Sequence, residues 1–313
     1  MAYGGRDDGL FQAAAGESNS FGQQLTIAES QYQYDALVKR VKCDTSKDTL
    51  KCLRGLDIKT LAQQNSIQPT PNGGVGNPVY MYSNTIDGNF TQDYTYNAFS
   101  QGKFIKVPTI FGGDTNEGTV FTPSSINNKS DMHQFLKDNW VKLNSSDFDR
   151  IDKYYPEAEH FPGKGNFWRT AANAYGEMRY NCPGIFLNQR FMAAGQRSYH
   201  YHWDVLDPQN KANGMGVTHT AEVGSIWGTS TGVEAPQQPF IGKYWASFIR
   251  THDPNKLKDS KAPVWEQYDG NGAKKNLKMY FATDATKNAV IDIDQTQLDR
   301  CAWWASTGPH ISQ

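Results

Sequence analysis

Phe111-Gly-Gly-Asp-Thr-Asn-Glu-Gly-Thr119 continues directly from Val107-Pro-Thr-Ile-Phe111, so an apolar run enters a glycine-rich turn that holds two acids. The run reads as a short strand, and open α/β sheets place functional side chains at the carboxyl ends of their strands. Asp114 and Glu117 are therefore candidate functional acids. The plain alternative is a turn in which one of them caps a following helix. Further strand candidates are Ser198-Tyr-His-Tyr-His-Trp203 and Leu277-Lys-Met-Tyr-Phe281. Around them, apolar residues recur at helical spacing over about 30–42, 49–64, 131–140, 146–154, 167–195 and 239–251. Ser130 and Ser146 stand as candidate N-caps, Ser146 with Asp149 three residues on. Helices alternating with isolated strands predict an α/β sheet. No repeat, low-complexity tract or linker divides the chain, so 1–313 reads as one unit.

Composition narrows the class of partner. With 31 basic against 32 acidic residues, a net charge of -1 and no long Lys/Arg block, the footprint of a nucleic-acid or anionic-membrane binder is missing. No run of 18 apolar residues exists, so no integral membrane segment is expected. Met1-Ala2-Tyr3-Gly4-Gly5-Arg6 has neither the basic nor the apolar region of a signal peptide. The interior nevertheless looks secreted. Cys43 and Cys52 flank a polar, Lys-rich loop that matches no zinc spacing, and a disulfide fits better. Closing so short a loop stabilises by about 2.5–3 kcal/mol in the chain-entropy model and requires an oxidising compartment. Sequons at Asn89, Asn128 and Asn144 point the same way. Cys182 and Cys301 either pair or are two buried thiols. Gly73, Gly74 and Gly76, like Asp269-Gly-Asn-Gly272, are turn chemistry and spell no phosphate or dinucleotide fingerprint, so no cofactor is expected.

The second functional signal is Gly214-Met-Gly-Val-Thr-His-Thr-Ala-Glu-Val223, a histidine in a glycine-punctuated loop shortly after a strand candidate. Taken singly, His219 is an ordinary surface residue. Together with the acid loop it fits the order nucleophile, acid, histidine of the α/β-hydrolase triad. That chemistry needs a serine on a Gly-x-Ser-x-Gly elbow. Gly228-Thr-Ser-Thr-Gly232 has the letters, but it follows the histidine and runs into Val-Glu-Ala-Pro, which cannot begin a helix cleanly. Gly16-Glu-Ser-Asn-Ser20 lacks the closing glycine. His200 and His202 share one face of a strand, a zinc-like spacing without an evident third ligand, so packing is the reading and no metal is assigned. His133, His160, His252 and His310 have no nameable partners.

A family resemblance covers essentially the whole chain. Tyr3-Gly-Gly-Arg-Asp-Asp-Gly-Leu-Phe11 resembles the end of the helix that follows the elbow in fungal type B carboxylesterases and lipases, within the cholinesterase superfamily. Ala13-Ala-Ala-Gly-Glu-Ser18 resembles the next strand. Ile86-Asp-Gly88, Gly113-Asp-Thr-Asn-Glu-Gly-Thr119, Gly216-Val-Thr-His-Thr-Ala-Glu222, Tyr244-Trp-Ala-Ser-Phe-Ile-Arg-Thr-His-Asp-Pro-Asn255 and Arg300-Cys-Ala-Trp303 follow in family order. The resemblance implies an α/β-hydrolase fold, incomplete and consisting of the portion after the elbow. It implies Glu117 as triad acid, His219 as triad base, Ser18 near the acid and Cys43–Cys52 as a family disulfide. Asn19 departs from the family's glycine beside Ser18. The elbow serine and the oxyanion loop belong upstream of Met1. The expectation is a secreted carboxylic ester hydrolase of the Ser-Glu-His type, acting on a small-molecule or lipid ester, with this chain inactive alone. The alternatives are a non-catalytic cholinesterase-like binding module and a truncated gene product.

Overall fold

Residues 1–269 and 276–313 are described by a computed structural model. The turn expected at Asp269-Gly-Asn-Gly272 falls, after Asp269, outside the described residues. Five strands form one sheet in chain order: β1 (Ala14–Glu17), β2 (Thr109–Asp114), β3 (Ser198–Asp204), β4 (Leu277–Ala282) and β5 (Ala289–Asp292). The first four are parallel and β5 turns back antiparallel to β4. Thr109 pairs with Ser198 and Asp114 with Trp203, so β2 and β3 end together. That register brings the acid loop and the residues after β3 to one edge of the sheet.

The three inner strands are buried because helices cover both faces. In β3, Tyr199, Tyr201 and Trp203 join Ile110, Met279 and Phe281 in one core, beneath the helix Gln238–Thr251 with Tyr244, Trp245 and Phe248. Ser198, His200 and His202 face the other way, as a period of two requires, towards the helix Cys182–Ala193, which packs on β2 and β3. A second core on that side gathers Trp140, Tyr175, Met178 and Trp304. Each large apolar side chain removed from water contributes about 1.5–3 kcal/mol. Both faces of β3 are largely buried, so its alternation is between aromatic side chains and serine or imidazole rather than between core and solvent.

Element boundaries differ from the sequence expectation where a single side chain decides them. The helices Lys129–Asn139 and Ser145–Tyr154 are capped by Asn128 and Asn144, not by Ser130 and Ser146. Asn144 accepts from the Asp147 amide while Asp147 accepts from the Asn144 amide, so the capping box forms two residues earlier than Ser146 with Asp149 would place it. The 49–64 pattern splits into Thr49–Arg54 and Ile58–Gln64, because Gly55 ends the first helix and Asp57 caps the second. The 167–195 pattern is interrupted by a π-helical turn, Glu177–Asn181, between Trp168–Gly176 and Cys182–Ala193. Ala2–Gly5 is only a single turn, with Tyr3 and Gly4 at positive φ, where no right-handed helix can run.

Two disulfides staple this frame. Cys43–Cys52 closes a loop of nine residues' separation, and Cys182–Cys301 joins the start of the helix Cys182–Ala193 to the C-terminal helix Gln295–Thr307 across 119. Loop-closure entropy grows with loop length, so the long bridge restrains the unfolded chain more. Cys301→Ser is expected to lower the unfolding free energy by about 2–5 kcal/mol, and by more than Cys52→Ser. Urea titration of both variants beside the parent chain checks the order.

Candidate active site

Glu117 is a buried carboxyl held by three hydrogen-bond partners. It is 1% exposed, three residues beyond the end of β2. Its Oε1 accepts from the Asp114 amide at 2.8 Å and from the Ser18 hydroxyl at 2.8 Å. Its Oε2 lies 2.6 Å from His219 Nδ1. The loop can fold back this tightly because Gly113 has no Cβ; one there would come 2.3 Å from Glu117 Oε1. Gly118 is held as closely, since a Cβ would sit 1.9 Å from the Ala172 carbonyl oxygen.

Since a carboxylate only accepts, the contact fixes the tautomer: Nδ1 of His219 carries the proton and Nε2 is left as the basic nitrogen. The imidazole packs against Tyr180 at 4.5 Å and Phe121 at 5.1 Å between ring centres. Its side chain is 21% exposed, on an open depression of about 580 Å³ that Thr218, Thr220 and Ser230 also line. Acid and histidine loops are locked together by Asn116, whose amide donates to the Val217 carbonyl at 2.8 Å while its Oδ1 accepts from the Val217 amide at 3.0 Å. Further back, the buried guanidinium of Arg169 donates to the Gly214 carbonyl. The arrangement can take a proton at Nε2 and stabilise the imidazolium so formed.

The remaining candidates fall elsewhere. Ser18 spends its hydroxyl proton on Glu117, so it acts on the acid and does not face Nε2. Ser230 shares the depression, but its hydroxyl donates to Glu234 at 3.1 Å and the chain continues as a 3-10 turn, Gly232–Gln237, not as the α-helix an elbow needs. His200 Nδ1 meets the Phe111 carbonyl at 2.9 Å, and burial pushes its pKa down to about 3. His202 lies between Lys278 Nζ and Thr115 Oγ1, both at 2.8 Å. An ammonium at that position repels a metal cation. Asp114 does not touch His219. It is buried beside Glu222, a residue the sequence motif contained without revealing its role.

Asp114 and Glu222 form a carboxyl pair under the site. Glu222 Oε1 accepts from the Tyr201 hydroxyl at 2.7 Å. The Glu222 carboxyl is the nearest group able to share a proton with Asp114, whose own oxygens lie buried without a well-formed donor contact. Desolvation, with the like charges of Glu222 and Glu117, raises Asp114 well above the usual carboxylate range, and desolvation with the charge of Glu117 raises Glu222 to about 7 although hydrogen bonds from Tyr201 and Asp114 oppose it.

A model of the carboxylesterase family matches residues 5–304. The chain belongs to the carboxylesterase family. Secreted lipase 4 of Gibberella zeae is 26% identical over 96% of this chain and 55% of its own length, and Lipase 2 of Geotrichum candidum is 25% identical over 81% and 46%. The crystal structure of Aspergillus niger EstA superimposes with a TM-score of 0.93 at 31% identity, covering all of this chain and 61% of that one. The fold is thus that of the α/β-hydrolase carboxylesterases. The chain spans about half the length of the curated relatives it matches.

The carboxyl pair in this carboxylesterase-family chain has a consequence for pH. Groups whose folded pKa lies above the unfolded value favour the folded state at low pH and lose that contribution as pH rises through the folded pKa. Stability should therefore fall between the ordinary carboxylate range, about 4, and about 7, where Glu222 titrates in the fold. Asp114→Asn supplies an amide donor to Glu222 and should flatten this dependence. Thermal melts from pH 5 to 8 on the two proteins read it directly.

Proposed function

We propose that the intact protein hydrolyses carboxylic esters through an acyl-enzyme, and that this chain is the C-terminal part of its type B carboxylesterase domain, supplying Glu117 and His219. The observation that carries the reading is the Ser18–Glu117–His219 chain of hydrogen bonds at the carboxyl edge of the sheet, in a chain of this family. Among the described residues no serine hydroxyl meets His219 Nε2, and one edge of β1 pairs with no strand. The nucleophile and the oxyanion donors then belong to the part of the domain that seats along β1.

In the reaction a serine oxygen attacks the ester carbonyl carbon as its proton passes to His219 Nε2. The imidazolium is held by Glu117, which stays ionised. Collapse of the tetrahedral intermediate expels the alcohol, which leaves with that proton, and water repeats the sequence on the acyl-enzyme. Retention of the buried acid–base pair speaks against a purely non-catalytic binding module, since burying a carboxylate without use is costly.

Two disulfides and the exposed positions of Asn89, Asn128 and Asn144 support an extracellular, glycosylated protein. At Asn128 the helix cap engages Oδ1, leaving Nδ2, the atom a glycan joins.

Loss of the nucleophile costs about 10⁶ in turnover, and loss of oxyanion donors about a further 10²–10³. This chain alone should therefore show no burst with an ester substrate and no mass adduct with a fluorophosphonate. A single adduct that vanishes in His219→Ala would place an activated serine inside the chain and defeat the division of the triad.

A further inference from the structure

The π-helical turn Glu177–Asn181 carries Tyr180, which packs on the His219 imidazole, and beside it Arg179. Arg179 is half-buried among aromatic rings. Its guanidinium carbon lies 4.8 Å from the Tyr80 ring centre, 5.8 Å from Tyr180, 5.9 Å from Trp140 and 6.0 Å from Tyr175. No carboxylate pairs with it among the described residues, and its Nε is buried without a hydrogen-bond partner. The phenols of Tyr175 and Tyr180 lie within reach of its guanidinium, and burial keeps them neutral. The other half-buried arginine on the same turn's flank shows the contrast: Arg300 is gripped by both oxygens of Glu177. Gly22 leaves room at the tip, since a Cβ there would press to 3.2 Å on both terminal nitrogens.

A guanidinium taken partly out of water is stabilised by an anion that accepts from its fork, and the fold provides none. Aromatic faces offset part of the desolvation but accept no hydrogen bond of comparable strength. One tyrosine ring separates this unmet cation from the imidazole proposed as base, on the side where Phe121 and Tyr80 continue the aromatic wall. We propose that Arg179 is a specificity-determining residue that selects anionic esters, the half-esters of dicarboxylic acids, by pairing their free carboxylate while the ester carbonyl lies at His219. The aromatic wall would seat the methylenes between the two groups. The inference rests on the hydrolase reading of the site and adds the class of substrate to it.

The test uses the chain as it stands and reads binding rather than turnover. With histidine rings isotope-labelled, the His219 ring resonance, assigned with His219→Ala, is followed by NMR during titration with monomethyl adipate and with dimethyl adipate. The two esters differ by one charge and a methyl group. The expected result is a preference of about tenfold or more for the half-ester, reduced to within about twofold in Arg179→Gln and partly kept in Arg179→Lys. Equal binding of the two esters by the parent chain would overturn the proposal whatever the variants do, and would leave the hydrolase reading intact. Failure of both esters to move the His219 resonance would overturn both readings.

Discussion

Everything at the sheet's carboxyl edge is arranged around one buried charge, the Glu117 carboxylate. An ionised carboxyl removed from water costs several kcal/mol unless donors replace the lost solvent, and here three donors from three separate stretches do so: the Asp114 amide, the Ser18 hydroxyl and the His219 ring. Each donor imposes a condition on its own segment. Ser18 must leave β1 in a left-handed conformation, at φ 50, the β2 loop must contain Gly113, and the histidine loop must be held in register by Asn116. The acid is thereby the point through which β1, β2 and the segment after β3 are tied together. Close by, the same low-polarity surroundings force Asp114 and Glu222 into proton sharing. That keeps a second full negative charge away from Glu117.

The opposite side of the acid loop is held by a relay of neutral groups. Lys278 is almost wholly buried, and burial lowers its pKa to about 8. Among the described residues no carboxylate pairs with it directly. Its ammonium donates to His202 Nδ1, the other ring nitrogen donates to Thr115 Oγ1, and the Thr115 hydroxyl donates to Asp204 at 2.5 Å. The positive end in β4 and the negative end in β3 are thus joined through an imidazole and a hydroxyl, with Thr115 two residues from Glu117. Such a network is stable only when every member is satisfied, which gives His202 a structural reason to be where it is.

Local chemistry was legible in the sequence, whereas chemistry assembled from distant segments was not. Three strands could be read from short apolar runs, and Glu117 and His219 stood out because glycine-rich loops after strands are where side chains can be presented. Glu222 lay inside a quoted motif, yet its burial depends on Tyr201 and Asp114, which are 21 and 108 residues away in the chain. Arg179 gave no signal at all, because its surroundings come from Tyr80, Trp140 and Gly22. The helix boundaries missed at Ser130 and Ser146 show the same limit on a smaller scale. Ser and Asn both cap well, and only the backbone entry angle decides between two such residues placed two positions apart.

The same distinction explains how, on the proposed reading, two of the three triad members can be fully oriented within this chain. Every contact that orients His219 comes from residues of this chain: Glu117, Asn116, Tyr180 and Phe121. The proton-handling part of the site therefore needs nothing from beyond β1 to reach its geometry. On the proposed reading, what the rest of the domain brings is the electrophile-handling part, a nucleophile and the donors for a developing oxyanion. Dividing the work along β1 separates two kinds of precision. Acid and base must be held rigidly, and the loops of this chain hold them so. On that reading the attacking oxygen is delivered to Nε2 by the part of the domain proposed to seat along the open edge of β1.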